Sequence, residues 1–140
     1  MKILKRAIAA VFIVYLIVLF RITVFRTGFD LGNIFTNGQF EPVPFIGLAE
    51  LIAEGKIRNF IYLFAGNIIW FMPFGFFLVC FKQRLSMTVL YGFLLSLAIE
   101  LCQYIFGVGV TETEDVILNT LGSFLGALAG RGIILKYKLF

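Results

Sequence analysis

From Asn59 to Phe81, between Arg58 and Lys82, the chain runs without a charged residue. A run of about 20 apolar residues is what a helix needs to cross the hydrocarbon core of a bilayer. Three shorter uncharged runs accompany it, Ala7 to Phe20, Leu85 to Ile99 and Val116 to Gly130. Each reaches spanning length if an end residue snorkels or one polar residue is tolerated inside. Of the 140 residues, 61% are apolar and 14% charged, against about 25% charged in soluble domains. That excess of apolar surface needs lipid. The expected architecture is all-α: an integral membrane bundle of four transmembrane helices, one domain over 1–140, with spans near 7–25, 60–81, 85–106 and 116–135.

Charge sets the expected topology. Lys2, Lys5 and Arg6 precede span one, Lys82 and Arg84 lie between spans two and three, and Arg131, Lys136 and Lys138 follow span four. No acid accompanies them. Seven of the eight acids, Asp30, Glu41, Glu50, Glu54, Glu112, Glu114 and Asp115, fall on the opposite side. The positive-inside rule then puts both termini in the cytoplasm of a bacterial cell. The net charge of +4 therefore reports topology, and no nucleic-acid partner is expected. The basic start followed by an apolar run looks like a signal peptide, but Leu19-Phe20-Arg21 replaces a small-x-small cleavage site. An uncleaved first helix is expected. Cys80 and Cys102 should lie in opposite leaflets, too far apart to bridge, and read as two buried thiols.

Span one is apolar on all sides and ends at Arg21 and Arg26. In the long outer loop that follows, Gly28, Gly32, Asn33, Asn37 and Gly38 read as turns. Pro42 and Pro44 then set up a short helix from Phe45 to Ile52, apolar on one face and acidic on the other, with Pro44 in its first turn. It reads as an amphipathic helix in the outer interface or as a lid on the bundle. Pro73 should kink span two, and the Lys82-Gln83-Arg84 turn makes spans two and three antiparallel neighbours. Span four opens on the acidic cap Thr111-Glu112-Thr113-Glu114-Asp115. Along it Asp115, Asn119, Gly122, Gly126 and Gly130 share one face, a small-residue groove that another helix can approach closely.

In span three, Gly92, Ser96, Glu100 and Gln103 form one narrow stripe. A charged residue in mid-span costs about 2.5–3.5 kcal/mol on insertion scales, so Glu100 demands a reason. Arg6 to Arg21 and Asn67 to Lys82 are fifteen positions apart, and Arg84 to Glu100 and Asp115 to Arg131 are sixteen. At about 1.5 Å per residue all four polar groups lie roughly 22–24 Å from the basic edge, with Gln103 just above and Asn119 just below. Arg21, Asn67, Glu100, Gln103, Asp115 and Asn119 thus read as a polar pocket opening toward the outer leaflet, suited to a headgroup, a glycolipid or a proton. The alternative is internal glue, an Arg21–Glu100 pair among amides worth about 0.6–2 kcal/mol per contact. Without histidine the usual zinc ligands are missing, and no nucleophile-elbow, phosphate-loop or dinucleotide motif occurs. No metal, cofactor or catalytic residue is assigned, although a Glu100/Asp115 acid–base pair on a lipid substrate is a conceivable enzyme reading.

These residues resemble the VanZ-like family of small bacterial membrane proteins. The motifs that carry the resemblance are Asn67-x-x-x-Phe71-x-Pro73-x-Gly75, Glu100-x-x-Gln103, and Asp115-Val116-Ile117-Leu118-Asn119-Thr120-Leu121-Gly122 with Gly126. Arg21 and Pro44-Phe45 fit as well, and the match runs from about Val14 to Gly130. Members often carry an Arg in an Asp-rich stretch before the final Asp, where this chain has Thr111-Glu112-Thr113-Glu114. A different ligand or affinity follows if that Arg binds the ligand. The family's namesake gives low-level resistance to teicoplanin, a lipid-tailed glycopeptide. The leading expectation is that the polar pocket, beside membrane lipid, binds a lipid-linked cell-wall precursor or lipoglycopeptide and so lowers glycopeptide action. The other class of role is an accessory subunit whose glycine groove docks a partner helix or a second copy.

Overall fold

The computed structural model describes residues 2–25, 29–36 and 38–137. Arg26, Gly28, Asn37 and Lys138, which figure above, lie outside the described residues. Four long helices dominate: α1 (Lys2–Thr23), α3 (Ile57–Cys80), α4 (Leu85–Phe106) and α5 (Thr113–Tyr137). All four are long and apolar enough to cross a membrane, and the chain is an integral membrane protein. A short helix, α2 (Ile46–Ala53), and two strands, β1 (Gln39–Glu41) and β2 (Val110–Glu112), complete the order. α1 and α5 take in the flanking Lys2, Lys5, Arg6 and the Thr113–Asp115 cap. Charged side chains at a helix end can snorkel while the backbone stays hydrogen-bonded.

Local chemistry explains the ends. α4 stops because Gly107 turns left-handed at φ 61°, so that Val108 N–H reaches back to the Gln103 carbonyl at 3.0 Å. In the α3–α4 turn Lys82 takes the same role at φ 65°, with Gln83 N–H on Leu78 O at 3.0 Å. α5 opens with Glu114 and Asp115 in its first turn, where carboxylates favour the helix dipole. Pro44 lies outside α2: Phe45 is its left-handed N-cap at φ 65°, and the helix begins at Ile46. α2 packs on α3 and buries Leu48, which makes it a cover on the bundle.

The interior is organised by α5, packed against both α3 and α4. Spans two and three, joined by the short turn, touch each other far less than either touches α5. Gly122 faces Ile68, Gly126 faces Met72 and Gly130 faces Phe76. Both series ascend together, so α3 and α5 run parallel. The backbones are in near contact: a methyl on Gly126 would stand 1.9 Å from Met72 O, and one on Gly75 would stand 1.8 Å from Ser123 O. The glycine groove is thus filled by α3 of the same chain, which removes it as a seat for a partner's helix.

α1 lies at the edge and shows Val11, Val14, Ile17 and Val18 outward, as a lipid-facing helix does. It meets α3 antiparallel through Phe12 against Phe74, Phe77 and Phe81. Leu19, Val24, Phe71 and Ile99 form the buried core under the far end of α1. Tyr15 Oη donates to the Trp70 carbonyl at 2.7 Å. Pro73 sits inside α3, cannot donate to the Ile69 carbonyl and loosens the turn around it; a neighbouring donor at Trp70 is what such a turn requires. Tyr15→Phe is expected to cost about 1 kcal/mol, read as a lower thermal midpoint of the detergent-solubilised protein. Cys80 and Cys102 are free thiols, half-buried rather than buried.

The two ends of the bundle differ. One gathers Lys2, Lys5, Arg6, Lys82, Arg84, Arg131 and Lys136. At the other, β1 and β2 pair in parallel, with Gln39 opposite Val110, Phe40 opposite Thr111 and Glu41 opposite Glu112. The preceding loop is tied to the α4 terminus there, Phe35 N–H donating to Ile105 O at 2.8 Å.

Candidate functional site

At the ribbon end one polar group from each long helix reaches a single cavity of about 260 Å³, lined by Ile22, Thr23, Tyr62, Leu63, Gly66, Asn67, Trp70, Gln103 and Asp115. Asn67 Nδ2 donates to Asp115 Oδ1 across the α3–α5 seam. Gln103 Nε2 donates to the Thr23 carbonyl at 3.3 Å, joining α4 to α1. Three of the six residues expected from the sequence, Asn67, Gln103 and Asp115, therefore meet here. The close glycine packing of α5 on α3 brings the Asn67 and Asp115 side chains within reach.

The other three lie elsewhere. Arg21 is exposed, donates to Phe25 O at the end of its own helix, and lines a separate apolar groove with Leu16, Ile17, Phe20 and Phe25. It makes no pair with Glu100. The reason is azimuth: Arg21 follows the fully buried Leu19 by two residues, about 200° around the helix. Glu100 is only 2% exposed, and its Oε2 accepts the Glu112 N–H at 3.2 Å. Thr111 Oγ1 donates to the Glu100 carbonyl at 3.1 Å, so the top of α4 pins β2. Asn119 Nδ2 donates to Ser96 Oγ at 2.9 Å, one turn deeper than Asp115. Its Oδ1 is buried without a hydrogen-bond partner. The stripe of Gly92, Ser96, Glu100 and Gln103 is buried throughout, as a stripe facing α5 and β2 must be.

Glu100 opens instead onto a second cavity, about 500 Å³, lined by Phe40, Phe93, Leu97, Glu100, Leu101, Tyr104, Thr111, Glu112, Thr113 and Val116. Phe93, Leu97, Leu101 and Tyr104 are exposed, so this groove opens sideways toward lipid. Glu100 and Asp115 line different cavities, which separates the two members of the acid–base pair that an enzyme reading would need.

Glu112 and Glu114 were legible only as part of an acidic cap. In the structure Glu114 is 1% exposed, and its Oε2 is buried without a partner. Its position was signalled by spacing: Glu114, Leu118 and Gly122 follow at i, i+4 and i+8, beside the Asp115 stripe. Glu112 Oε1 and Glu114 Oε1 both stand over Gly47, 3.5 and 3.9 Å from where a methyl there would be. Gly47 belongs to the first turn of α2, which has no side-chain cap, so its positive end faces the two carboxylates. Burial, then the Glu114 charge, then the Glu41 charge push the Glu112 carboxyl above its usual range. A raised pKa means that protonation favours the fold. The stabilisation is complete below about pH 4.3, the usual Glu value, and is lost as pH rises through the raised value. Glu112→Gln should therefore match the parent's thermal midpoint at low pH and exceed it at neutral pH. Among the described residues no group of three or more acidic or thiol side chains could hold a metal ion.

A family model described as VanZ/LLP1 matches residues 12–135. The chain is 33% identical over 127 residues to "Protein VanZ" of Enterococcus faecium, covering 89% of this chain and 72% of that protein. No solved structure matches it.

Proposed function

Since this chain belongs to the VanZ/LLP1 family, we propose that it binds a lipid-linked or lipid-tailed envelope molecule at the ribbon end and thereby contributes to low-level resistance to teicoplanin-type glycopeptides. One observation carries the reading: Thr23, Asn67, Gln103 and Asp115, from four different helices, line one cavity, and intramembrane polar groups that converge mark ligand sites by default. The lipid-facing groove beside Glu100 offers a path for an apolar tail next to that polar end. The basic end of the bundle is assigned to the cytoplasm by the positive-inside rule, which sets both cavities in the outer leaflet of the cell membrane, where lipid-linked wall precursors and lipid-tailed glycopeptides are met.

The test is the minimum inhibitory concentration of teicoplanin for a susceptible bacterium expressing the chain, with membrane levels followed by immunoblot. The parent should raise it a few-fold. Asn67→Ala, Gln103→Ala and Glu100→Gln should each remove the increase at unchanged membrane level. Protection retained in all three variants overturns the reading.

A further inference from the structure

The polar cavity has aromatic walls as well as polar groups. Tyr62, Gly66 and Trp70 follow at i, i+4 and i+8 on α3, and all three line it. The two aromatic residues are rooted about 12 Å apart along the helix axis. Between them a methyl on Gly66 would meet nothing within 4 Å. The surface of α3 therefore carries a gap with an aromatic residue at either end and no side chain in the middle. The Asn67 and Gln103 amides and the Asp115 carboxyl line the same cavity. Tryptophan and tyrosine also form belts at membrane interfaces. A belt needs neither a glycine between its rings nor amides from two helices beside them. Tyr62, Leu63 and Trp70 are exposed, so the cavity has an open side.

We propose that this cavity holds one uncharged pyranose ring of a membrane glycolipid, a C–H face of the ring against Trp70 and its hydroxyls at Asn67, Gln103 and Asp115. Size, hydrogen bonding and the aromatic walls each select the sugar. A volume of about 260 Å³ lies just below the range of drug-sized ligand sites, about 300–1,000 Å³, which suits a single ring. The amides carry both donors and acceptors, and the carboxylate accepts. They are held in place by the Asn67–Asp115 bond and by Gln103 on the Thr23 carbonyl. The occupant that matches such a set both donates and accepts, as a hydroxyl does. An ammonium can only donate, and a phosphate would bring like charge to the Asp115 carboxylate. An aromatic face is the negative side of its quadrupole. The polarised C–H groups on one face of a pyranose meet it favourably and leave water there. Ile22 and Leu63 lie exposed at the same opening and supply apolar surface for the lipid tail. The inference deepens the lipid-tailed reading given above by naming the headgroup, and rests on that reading for the cavity being a ligand site.

Trp70 is the only tryptophan of the chain, so its fluorescence reports on the cavity directly. The experiment uses the full chain in phosphatidylcholine vesicles, titrated with octyl glucoside, octyl galactoside, octyl mannoside and octyl N-acetylglucosaminide below the concentrations that disrupt the bilayer. At least one glycoside should move the Trp70 emission to shorter wavelength along a saturable curve. Octanol, octyl phosphate and octylamine, which share the tail, should not, and neither should the free sugar at the same concentration. Gln103→Ala should raise the midpoint of the curve about tenfold, the equivalent of 1.4 kcal/mol. Gly66→Leu, which fills the gap from a position with open space around it, should abolish the shift and serves as the second variant if Gln103→Ala misfolds. No saturable shift with any glycoside, an equal shift with octanol, octyl phosphate, octylamine or free sugar, or a parent-like curve in both variants overturns the proposal. Teicoplanin protection that persists without glycoside binding sinks this inference alone. Glycoside binding in a chain that gives no protection sinks the resistance reading and sustains this one.

Discussion

Gly126→Leu is expected to abolish the folded protein in the membrane. The added side chain must start 1.9 Å from the Met72 carbonyl, a backbone atom of α3 that cannot rotate aside. A side chain added at Gly75, on the opposite helix, would start 1.8 Å from the Ser123 carbonyl, so Gly75→Leu should behave alike. Overpacking in well-packed cores costs about 1–3 kcal/mol and occasionally more; here two backbones must separate along a whole seam, which places both variants at or beyond the upper end. The loss extends past local strain. Asn67 and Asp115 meet only because that seam is tight, so pushing α3 from α5 also opens the polar cavity. Size-exclusion profiles and membrane levels of Gly126→Leu, Gly75→Leu and a control such as Gly66→Ala, where a methyl meets nothing within 4 Å, check this. Parent-like levels for Gly126→Leu would mean the seam is not closed as described.

Asn67→Asp should give the second largest effect. The amide nitrogen that donates to Asp115 Oδ1 becomes a second carboxylate oxygen, which replaces attraction by like-charge repulsion at hydrogen-bond distance in a poorly solvated place. Asn67→Ala removes a hydrogen bond to a charged group, at about 1.5–3 kcal/mol. The aspartate should cost distinctly more. Thermal midpoints of parent, Asn67→Ala and Asn67→Asp in one detergent check the order. Equal destabilisation by the two substitutions would show that the residue 67 side chain does not meet the Asp115 carboxylate.

The depth of each polar group was readable along the chain, because a helix climbs about 1.5 Å per residue and the basic residues mark where each helix begins its climb. Asn67, Gln103 and Asp115 reach one cavity for that reason. Direction around the helix axis was not readable for Arg21. That needs to be known from which face α1 turns to its neighbours, and α1 is a peripheral helix held by few contacts. The face carrying Leu19 won, and Arg21 went to the outside. Glu100 was recognised as costly. What offsets its burial, the backbone N–H of Glu112, comes from a strand of three residues too short to leave a pattern in the sequence.

Composition and the spacing of charge settle by themselves that this chain makes four long apolar helices with a basic end and an acidic end. Those properties depend only on residue-by-residue transfer into lipid, which is local. The glycines at 122, 126 and 130 likewise announce a close helix contact. That the contact is with α3 of the same chain, in parallel, is a matter of three-dimensional order. Among helices immersed in lipid, packing and not hydrophobicity chooses neighbours, and packing is a property of shapes in contact. The same choice divides the polar residues between a polar cavity and a lipid-facing groove, and brings the Glu112 and Glu114 carboxylates together over Gly47.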